Sequence, residues 1–320
     1  VYLEKSMSRT VLVLVETIDE YLPIITQHGF EVLLAKSPQA RAAAIAEQGS
    51  RFDAVLTRGP LGLSADEMDA LPNLKIICVL GAGYERVDLA AARIRGLTVT
   101  NGAGVNAPSV ADHAMALLLA VVRDIPRADA SVRRGEWAKI TRPTLEGKRM
   151  GILGLGSVGM AIAKRAALGF DMHISYHNRR SREDVAYDYY ADPVSLAADC
   201  DFLVVATPGG TGTAALVDSA VLEALGEQGF LINIARASVV DTGALLKALQ
   251  EQRIAGAGLD VFDDEPQVPD ALKALANVVL TPHVAGLSPQ ASQDTVQRVA
   301  DNLCAFFSGR PVLTPVPLPD

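Results

Sequence analysis

Apolar and polar positions along this chain fall into two textures. TVLVLVE (10–16), FEVLLA (30–35), FDAVLT (52–57), LKIICVL (74–80) and LTVTN (97–101) are short runs, apolar almost throughout. They have the length and residue types of strands. The mixed stretches between them have helical spacing, as in Pro38–Gln48 with Gly49 as its stop. Strands that are apolar on both faces and separated by helices predict a parallel sheet covered on both sides. A second series begins at KRMGILGLG (148–156). It continues through HISYH (173–177), DFLVVAT (201–207), FLINIA (230–235), AGAGLDVF (255–262) and NVVLTPH (277–283). The pattern predicts two open α/β sheets, one in each half, with no sequence repeat.

Three further stretches predict helices of different kinds. SVADHAMALLLAVVRDI (109–125) is apolar nearly all round, which predicts a buried helix. Ser109 is its expected N-cap, with Asp112 in its first turn. PRADASVRRGEW (126–137) predicts a polar-faced helix ending near Gly135, an arm between two lobes. SQDTVQRVADNLCAFFSG (292–309) is the expected last helix, with Gly309 and Pro311 as stops and PVPLPD as an extended tail.

Composition narrows the classes. A chain of 320 residues sets two domains as the expectation. The net charge of −8 excludes a general nucleic-acid or polyanion binder, so any anion site must be local. Cys78, Cys200 and Cys304 lie far apart with no metal spacing, so no metal site is expected. Cys78 and Cys200, in or beside apolar runs, read as buried thiols of a protein in a reducing cytoplasm. No apolar run reaches the ~18 residues of a membrane span, and no signal-peptide layout is present. Met7 is the expected native start, with residues 1–6 a remnant outside it.

Between strand and helix stands Gly154-Leu155-Gly156-Ser157-Val158-Gly159, with MGIL before it and MAIAKRAALGF after it. GxGxxG in this context is a dinucleotide signature. The first glycine permits the tight turn, the second admits a pyrophosphate to the backbone, and the third lets helix and strand pack closely. Free N–H groups at the helix start then meet the phosphates. The acidic residue expected at the end of the next strand, which would hold the ribose of NAD, is missing. His177 and Asn178 stand there, followed by Arg179 and Arg180. Arginine pairs with phosphate through forked, charge-assisted hydrogen bonds, whereas a carboxylate would repel it. Asn178, Arg179 and Arg180 therefore read as a pocket for the 2′-phosphate of NADP. The competing reading is a solvated charged loop.

A nicotinamide enzyme needs a proton donor and a group that holds the substrate's charge. Of the 5 histidines, His283 stands at the C-terminal end of the last strand, where ligands of open α/β sheets gather. It is the general acid–base candidate, whereas His113 in the apolar helix reads as structural. Arg236 and Glu265 follow two other strands. Taken singly, each reads as a surface charge. Placed together at one sheet edge, the arginine can bind a carboxylate and polarise the adjoining carbonyl, and the glutamate can fix the histidine's tautomer.

Six segments, GAGYERVD (81–88), SVADHAMALLLA (109–120), GKRMGILGLGSVG (147–159), NIARASVVD (233–241), GAGLDVFDDEP (256–266) and NVVLTPHVAG (277–286), carry a resemblance that spans nearly the whole chain. The sequence resembles the D-isomer-specific 2-hydroxyacid dehydrogenases, and within them the NADPH-preferring glyoxylate/hydroxypyruvate reductases. The resemblance implies a catalytic set of Arg236, Glu265 and His283. It implies substrate binding at Leu80, Gly81, Ala82 and Gly83, together with Arg236 and His283. Besides Gly154, Gly156, Ser157, Val158, Gly159 and the Asn178–Arg180 segment, the expected cofactor contacts are Thr207, Pro208, Ile234, Ala235, Arg236, Asp260, His283, Ala285 and Gly286. The expected cofactor is NADP, with NAD less preferred. The expected product is an (R)-2-hydroxy acid made from a small 2-oxo acid. The implied fold is a Rossmann domain (104–288) inserted into a flavodoxin-like substrate domain (7–103 and 289–320). An arm near 123–145 is expected to pair two subunits, with Trp137 packing in that homodimer. The chain departs from the family at Ala237, where glycine usually follows the arginine. A nucleotide-sensing corepressor, or a dehydrogenase of formate or phosphite on the same fold, stands as the alternative.

Overall fold

The computed structural model describes residues 9–319, so the expectation about residues 1–6 lies outside the described residues. The chain forms two compact units, Val1–Asn106 with Leu287–Asp320, and Ala107–Gly286.

The first unit is a five-stranded sheet made of β1 (Arg9–Val13), β2 (Phe30–Leu34), β3 (Phe52–Arg58), β4 (Ile76–Leu80) and β5 (Thr98–Asn101). Its order is β2-β1-β3-β4-β5, all parallel, the flavodoxin-like doubly wound arrangement. Side chains alternate between faces, so Leu12 and Leu14 join one core while Val11 and Val13 join the other. The second of these cores is covered by Val296, Val299, Ala300 and Leu303 from the last helix, Pro289–Phe307.

The second unit carries seven parallel strands: β6 (Arg149–Leu153), β7 (His173–His177), β8 (Asp188–Tyr190), β9 (Phe202–Val205), β10 (Phe230–Asn233), β11 (Gly256–Leu259) and β12 (Val278–Leu280). Their order, β12-β11-β10-β9-β6-β7-β8, reverses between β6 and β9 and so creates the switch point at which dinucleotides bind. On one face the helices Ala107–Val122 and Ser157–Phe170 build a core with Ile152, Tyr176, Val204 and Ile232. On the other, Leu196, Val221, Leu222, Leu245 and Leu249 pack on Leu153, Leu203, Val205 and Leu231. No helix among the described residues is long and apolar enough to cross a membrane.

Four expectations about local structure are corrected. The apolar helix starts at Ala107, not at Ser109. Pro108 fits a first turn because its missing N–H has no partner to lose there. Ser109 therefore lies inside the helix, and its hydroxyl donates to Ala285 O at 2.9 Å instead of capping. Asp112, beyond the first turn, pairs with Arg165. The helix ends at Val122, because Asp124 turns left-handed and Pro126 opens a new helix, Ile125–Arg133, which stops before Gly135. The last helix begins at Pro289, where the Ser288 hydroxyl accepts the Ala291 N–H. β8 has no counterpart in the apolar pattern. It is a three-residue, largely exposed edge strand with no apolar face to announce it.

Candidate active site

The glycine loop joins β6 to the helix Ser157–Phe170. Gly154 has φ +98°, a backbone that side chains rarely adopt, and a Cβ there would lie 2.7 Å from the Thr207 backbone. A Cβ at Gly159 would lie 2.2 Å from Gly154 O, so the helix packs against the turn only because that position is bare. A Cβ at Gly156 would meet nothing within 4 Å, which leaves the backbone open to a ligand. The first hydrogen bond to the loop from within the helix runs from Met160 N to Gly156 O. The N–H groups of Ser157, Val158 and Gly159 precede it and face outward with the positive end of the helix dipole. This cradle fits a dinucleotide pyrophosphate.

Gly154 N–H donates to His177 O at 2.9 Å, tying the loop to the end of β7. Asn178 follows, and its Oδ1 accepts the Leu155 N–H at 2.7 Å. The expected polar contact of Asn178 is thus partly engaged by the loop itself. Arg179 and Arg180 are exposed. Tyr189 donates to Asn178 O at 3.2 Å and its ring packs on Tyr176 at 5.5 Å. His177 Nδ1 pairs with Tyr190 O.

The remaining strand ends carry the other expected residues. Thr207 and Pro208 follow β9, and the Arg236 side chain runs past Gly209, where an added Cβ would lie 2.9 Å from Arg236 Cγ. Ile234 and Ala235 follow β10 and are buried. Arg236 is half-buried, donates from Nη1 to Ala235 O, and accepts Asn233 Nδ2 on its carbonyl. Ala237 opens a short 3-10 turn without a positive φ, so the alanine fits where the family's glycine usually stands.

Asp260, after β11, is fully buried. Its Oδ1 accepts Thr281 Oγ1 at 2.6 Å and Val284 N at 3.0 Å, and its Oδ2 accepts Ala285 N at 2.9 Å. His113 Nε2 reaches Thr281 Oγ1 at 2.9 Å. These bonds support His283 in a left-handed backbone, φ +53°, which costs roughly 1–2 kcal/mol for a non-glycine residue. The His283 N–H donates to Asp260 O. The imidazole Nδ1 then lies 2.7 Å from Glu265 Oε2, and Glu265 Oε1 accepts the Phe262 N–H at 3.0 Å. Two carboxylates thus fix one histidine, Asp260 through the backbone and Glu265 through the ring. Gly286 ends the unit next to buried Ala285.

Residues 115–285 match the family described as D-isomer specific 2-hydroxyacid dehydrogenase, NAD binding domain. The chain is 40% identical to a 2-ketogluconate reductase of Gluconobacter oxydans over 94% of this chain and 97% of that protein. It is 44% identical to a hydroxyphenylpyruvate reductase of Plectranthus scutellarioides over 85% and 88%. The chain belongs to the D-isomer specific 2-hydroxyacid dehydrogenase family. Among solved structures, an NADPH-dependent glyoxylate/hydroxypyruvate reductase of Sinorhizobium meliloti, in complex with NADP and malonate, superposes with a TM-score of 0.87. It is 39% identical, with 96% of each chain covered.

In the first unit of this dehydrogenase, the segment after β4 is held from below. Gly102 N–H donates to Gly81 O at 2.7 Å and Asn101 Nδ2 donates to Ala82 O at 2.8 Å. Leu80, Gly81 and Gly83 are half-buried and Ala82 is exposed. Tyr84 packs against the core of that unit. Sequence reasoning missed Thr281, which the TPH spacing places two residues before His283 without revealing its bond to Asp260. No cluster of three or more metal-ligating side chains occurs among the described residues.

Proposed function

We propose that the protein is an NADPH-dependent reductase of small 2-oxo acids, glyoxylate and hydroxypyruvate, which yields (R)-2-hydroxy acids with His283 as general acid. The observation that carries this reading is the 2.7 Å pair of His283 Nδ1 and Glu265 Oε2 at the C-terminal edge of the cofactor sheet. A carboxylate only accepts, so Nδ1 donates to it. Nε2 then carries the proton destined for the substrate's carbonyl oxygen, and Glu265 stabilises the imidazolium before transfer. Arg236 is assigned the substrate carboxylate. Leu80, Gly81, Ala82 and Gly83 are assigned to substrate binding through their backbone amides. When bound, NADPH supplies the hydride. Gly154–Gly159 take its pyrophosphate, Asn178, Arg179 and Arg180 its 2′-phosphate, and residues 207–208, 234–236, 260 and 283–286 its nicotinamide side. NADH serves less well, for want of that phosphate.

The reductase works as a homodimer in the cytoplasm. Ile125, Val132, Trp137 and Ile140 are all exposed along the arm, an apolar strip that a second copy would cover. Three buried or half-buried free cysteines suit a reducing compartment.

The test is a steady-state panel with both cofactors, following NADPH absorbance. Glyoxylate and hydroxypyruvate should give the highest kcat/KM, ahead of pyruvate and of bulkier 2-oxo acids such as 2-ketogluconate and hydroxyphenylpyruvate. A preference for a bulky acid overturns the substrate reading. Inertness to every 2-oxo acid favours a sensor, or a formate or phosphite dehydrogenase.

A further inference from the structure

The RRSRED segment (179–184) carries three arginines, and they are not equivalent. Arg179 and Arg180 are exposed at the tip of the loop. Arg182 turns back toward the glycine loop: its Nη1 donates to Leu155 O at 2.7 Å. Its Nε donates to Asp184 Oδ1 at 2.9 Å, and its second terminal nitrogen pairs with the other carboxylate oxygen. Its backbone N–H donates to Tyr176 OH at 2.8 Å. The hydrogen bond from Arg182 holds the Asp184 carboxyl below its usual range, so the guanidinium keeps its counter-charge and its orientation.

The partner at the other end is the informative one. Leu155 is the middle residue of Gly154-Leu155-Gly156, and its side chain is buried in the core of the unit. Its carbonyl accepts Arg182, and its N–H donates to Asn178 Oδ1 at 2.7 Å. Both backbone polar groups of the loop's central residue therefore end on side chains of the segment that follows β7. A glycine-flanked turn has little stiffness of its own, and an unfixed turn must be ordered when a ligand binds.

We infer that Arg182 is a positioning residue for the dinucleotide. It does not bind the 2′-phosphate; through Leu155 it fixes the Gly154–Gly156 turn, so that the N–H groups of residues 157–159 are already aimed at the pyrophosphate. This inference rests on dinucleotide binding, which the family carries, and not on the preference for NADP. Pyrophosphate is common to both cofactors, so Arg182 serves NADPH and NADH alike, whereas Arg179 and Arg180 serve NADPH alone.

The test compares Arg182→Ala, Arg182→Lys and the pair Arg179→Ala with Arg180→Ala in the whole protein. Dissociation constants for NADPH and for NADH are read by calorimetric titration. The expected result for Arg182→Ala is a rise of about tenfold for both cofactors, the scale of one lost charge-assisted hydrogen bond. The kcat at saturating cofactor and the KM for the 2-oxo acid should stay within about twofold, since a uniform loss of cofactor binding appears in the KM for the cofactor and not in kcat. Arg182→Lys keeps a cationic donor for Leu155 O and should recover most of the loss. Should Arg182→Ala fail to fold, Asp184→Asn, which loosens the guanidinium without removing it, is expected to show a smaller loss of the same equal kind. Unchanged affinity for both cofactors, or a loss confined to NADPH, overturns the inference. Binding is read without turnover, so a wrong substrate assignment leaves this test intact. A wrong phosphate assignment shows separately, in the Arg179 and Arg180 variant.

Discussion

His283 and Glu265 are joined ring to carboxylate at 2.7 Å, and the glutamate's other oxygen is tethered to the Phe262 N–H. The pair is a fixed unit, not two side chains that meet by chance. His283→Asn keeps a polar side chain of modest size but removes the proposed proton carrier. Its kcat should fall about 10²–10⁴-fold, the usual worth of a placed general acid. NADPH binding, measured by fluorescence titration, should change little. Near-normal turnover would remove His283 from the role. Glu265→Gln should also lower kcat, by less, because the histidine keeps an oxygen partner but loses the charge.

Arg179 and Arg180 are proposed to meet a phosphate that NAD lacks. Replacing both by alanine should weaken NADPH about 10–100-fold, as two charge-assisted contacts are lost, and leave NADH nearly unchanged. Asn178→Asp sharpens the point. It retains an acceptor for the Leu155 N–H and adds a carboxylate where NAD enzymes keep one. The kcat/KM ratio of NADPH to NADH should drop or invert. Equal weakening of both cofactors in either variant would sink the phosphate reading.

Two of the thiols, Cys78 and Cys200, should be silent in the native protein. Burial pushes Cys78 and Cys200 up to about 12. Only a thiolate attacks a disulfide reagent, and an ordinary cysteine titrates near 8.5. At pH 8 both should react at least about 100-fold more slowly in the native state than in denaturant. Rapid native labelling of Cys78 would mean that the first unit opens readily.

Acid should loosen the first unit at a definable place. Burial raises the Glu67 carboxyl, but hydrogen bonds from Arg41 and from the Ser64 N–H outweigh it and hold the group below the usual carboxylate range. A lowered folded value means stability that is fully present above the ordinary glutamate value, about 4.3, and lost as pH falls through the folded one. The pair is partly solvated, so the effect is modest. Glu67→Gln should lower the unfolding temperature of that unit by about 4 °C or less at neutral pH. The difference from wild type should close as pH drops below about 4. A difference independent of pH would show that the carboxylate charge does not matter there.

Much of the fold was legible because strands buried on both faces are continuous apolar runs, and each run has a visible end. That is why Arg236 and His283 are found at strand ends by reading alone. What remained hidden depends on partners distant in sequence. Nothing around Ser109 tells that its hydroxyl meets Ala285, 176 positions away. Nothing around Asp260 tells that three groups of the 281–285 turn surround its carboxylate. β8 escaped because an exposed three-residue edge strand carries no periodic signal. Arg182 looked solvated because a charged run gives no hint of which head group turns inward.

The order of synthesis gives the divided first unit a further consequence. Its strands β1–β5 are complete by Asn101, but the face built from Val11, Val13, Leu56 and Ile76 is closed by Val296, Val299 and Leu303. At about 5–20 residues per second, the ribosome takes roughly ten seconds or more to deliver that cover after β5 has emerged. The first unit to be translated is therefore the last to finish. In the interval a valine- and isoleucine-lined sheet face, covered only in part by Ile18, Leu22 and Ile25, stays open to a chaperone.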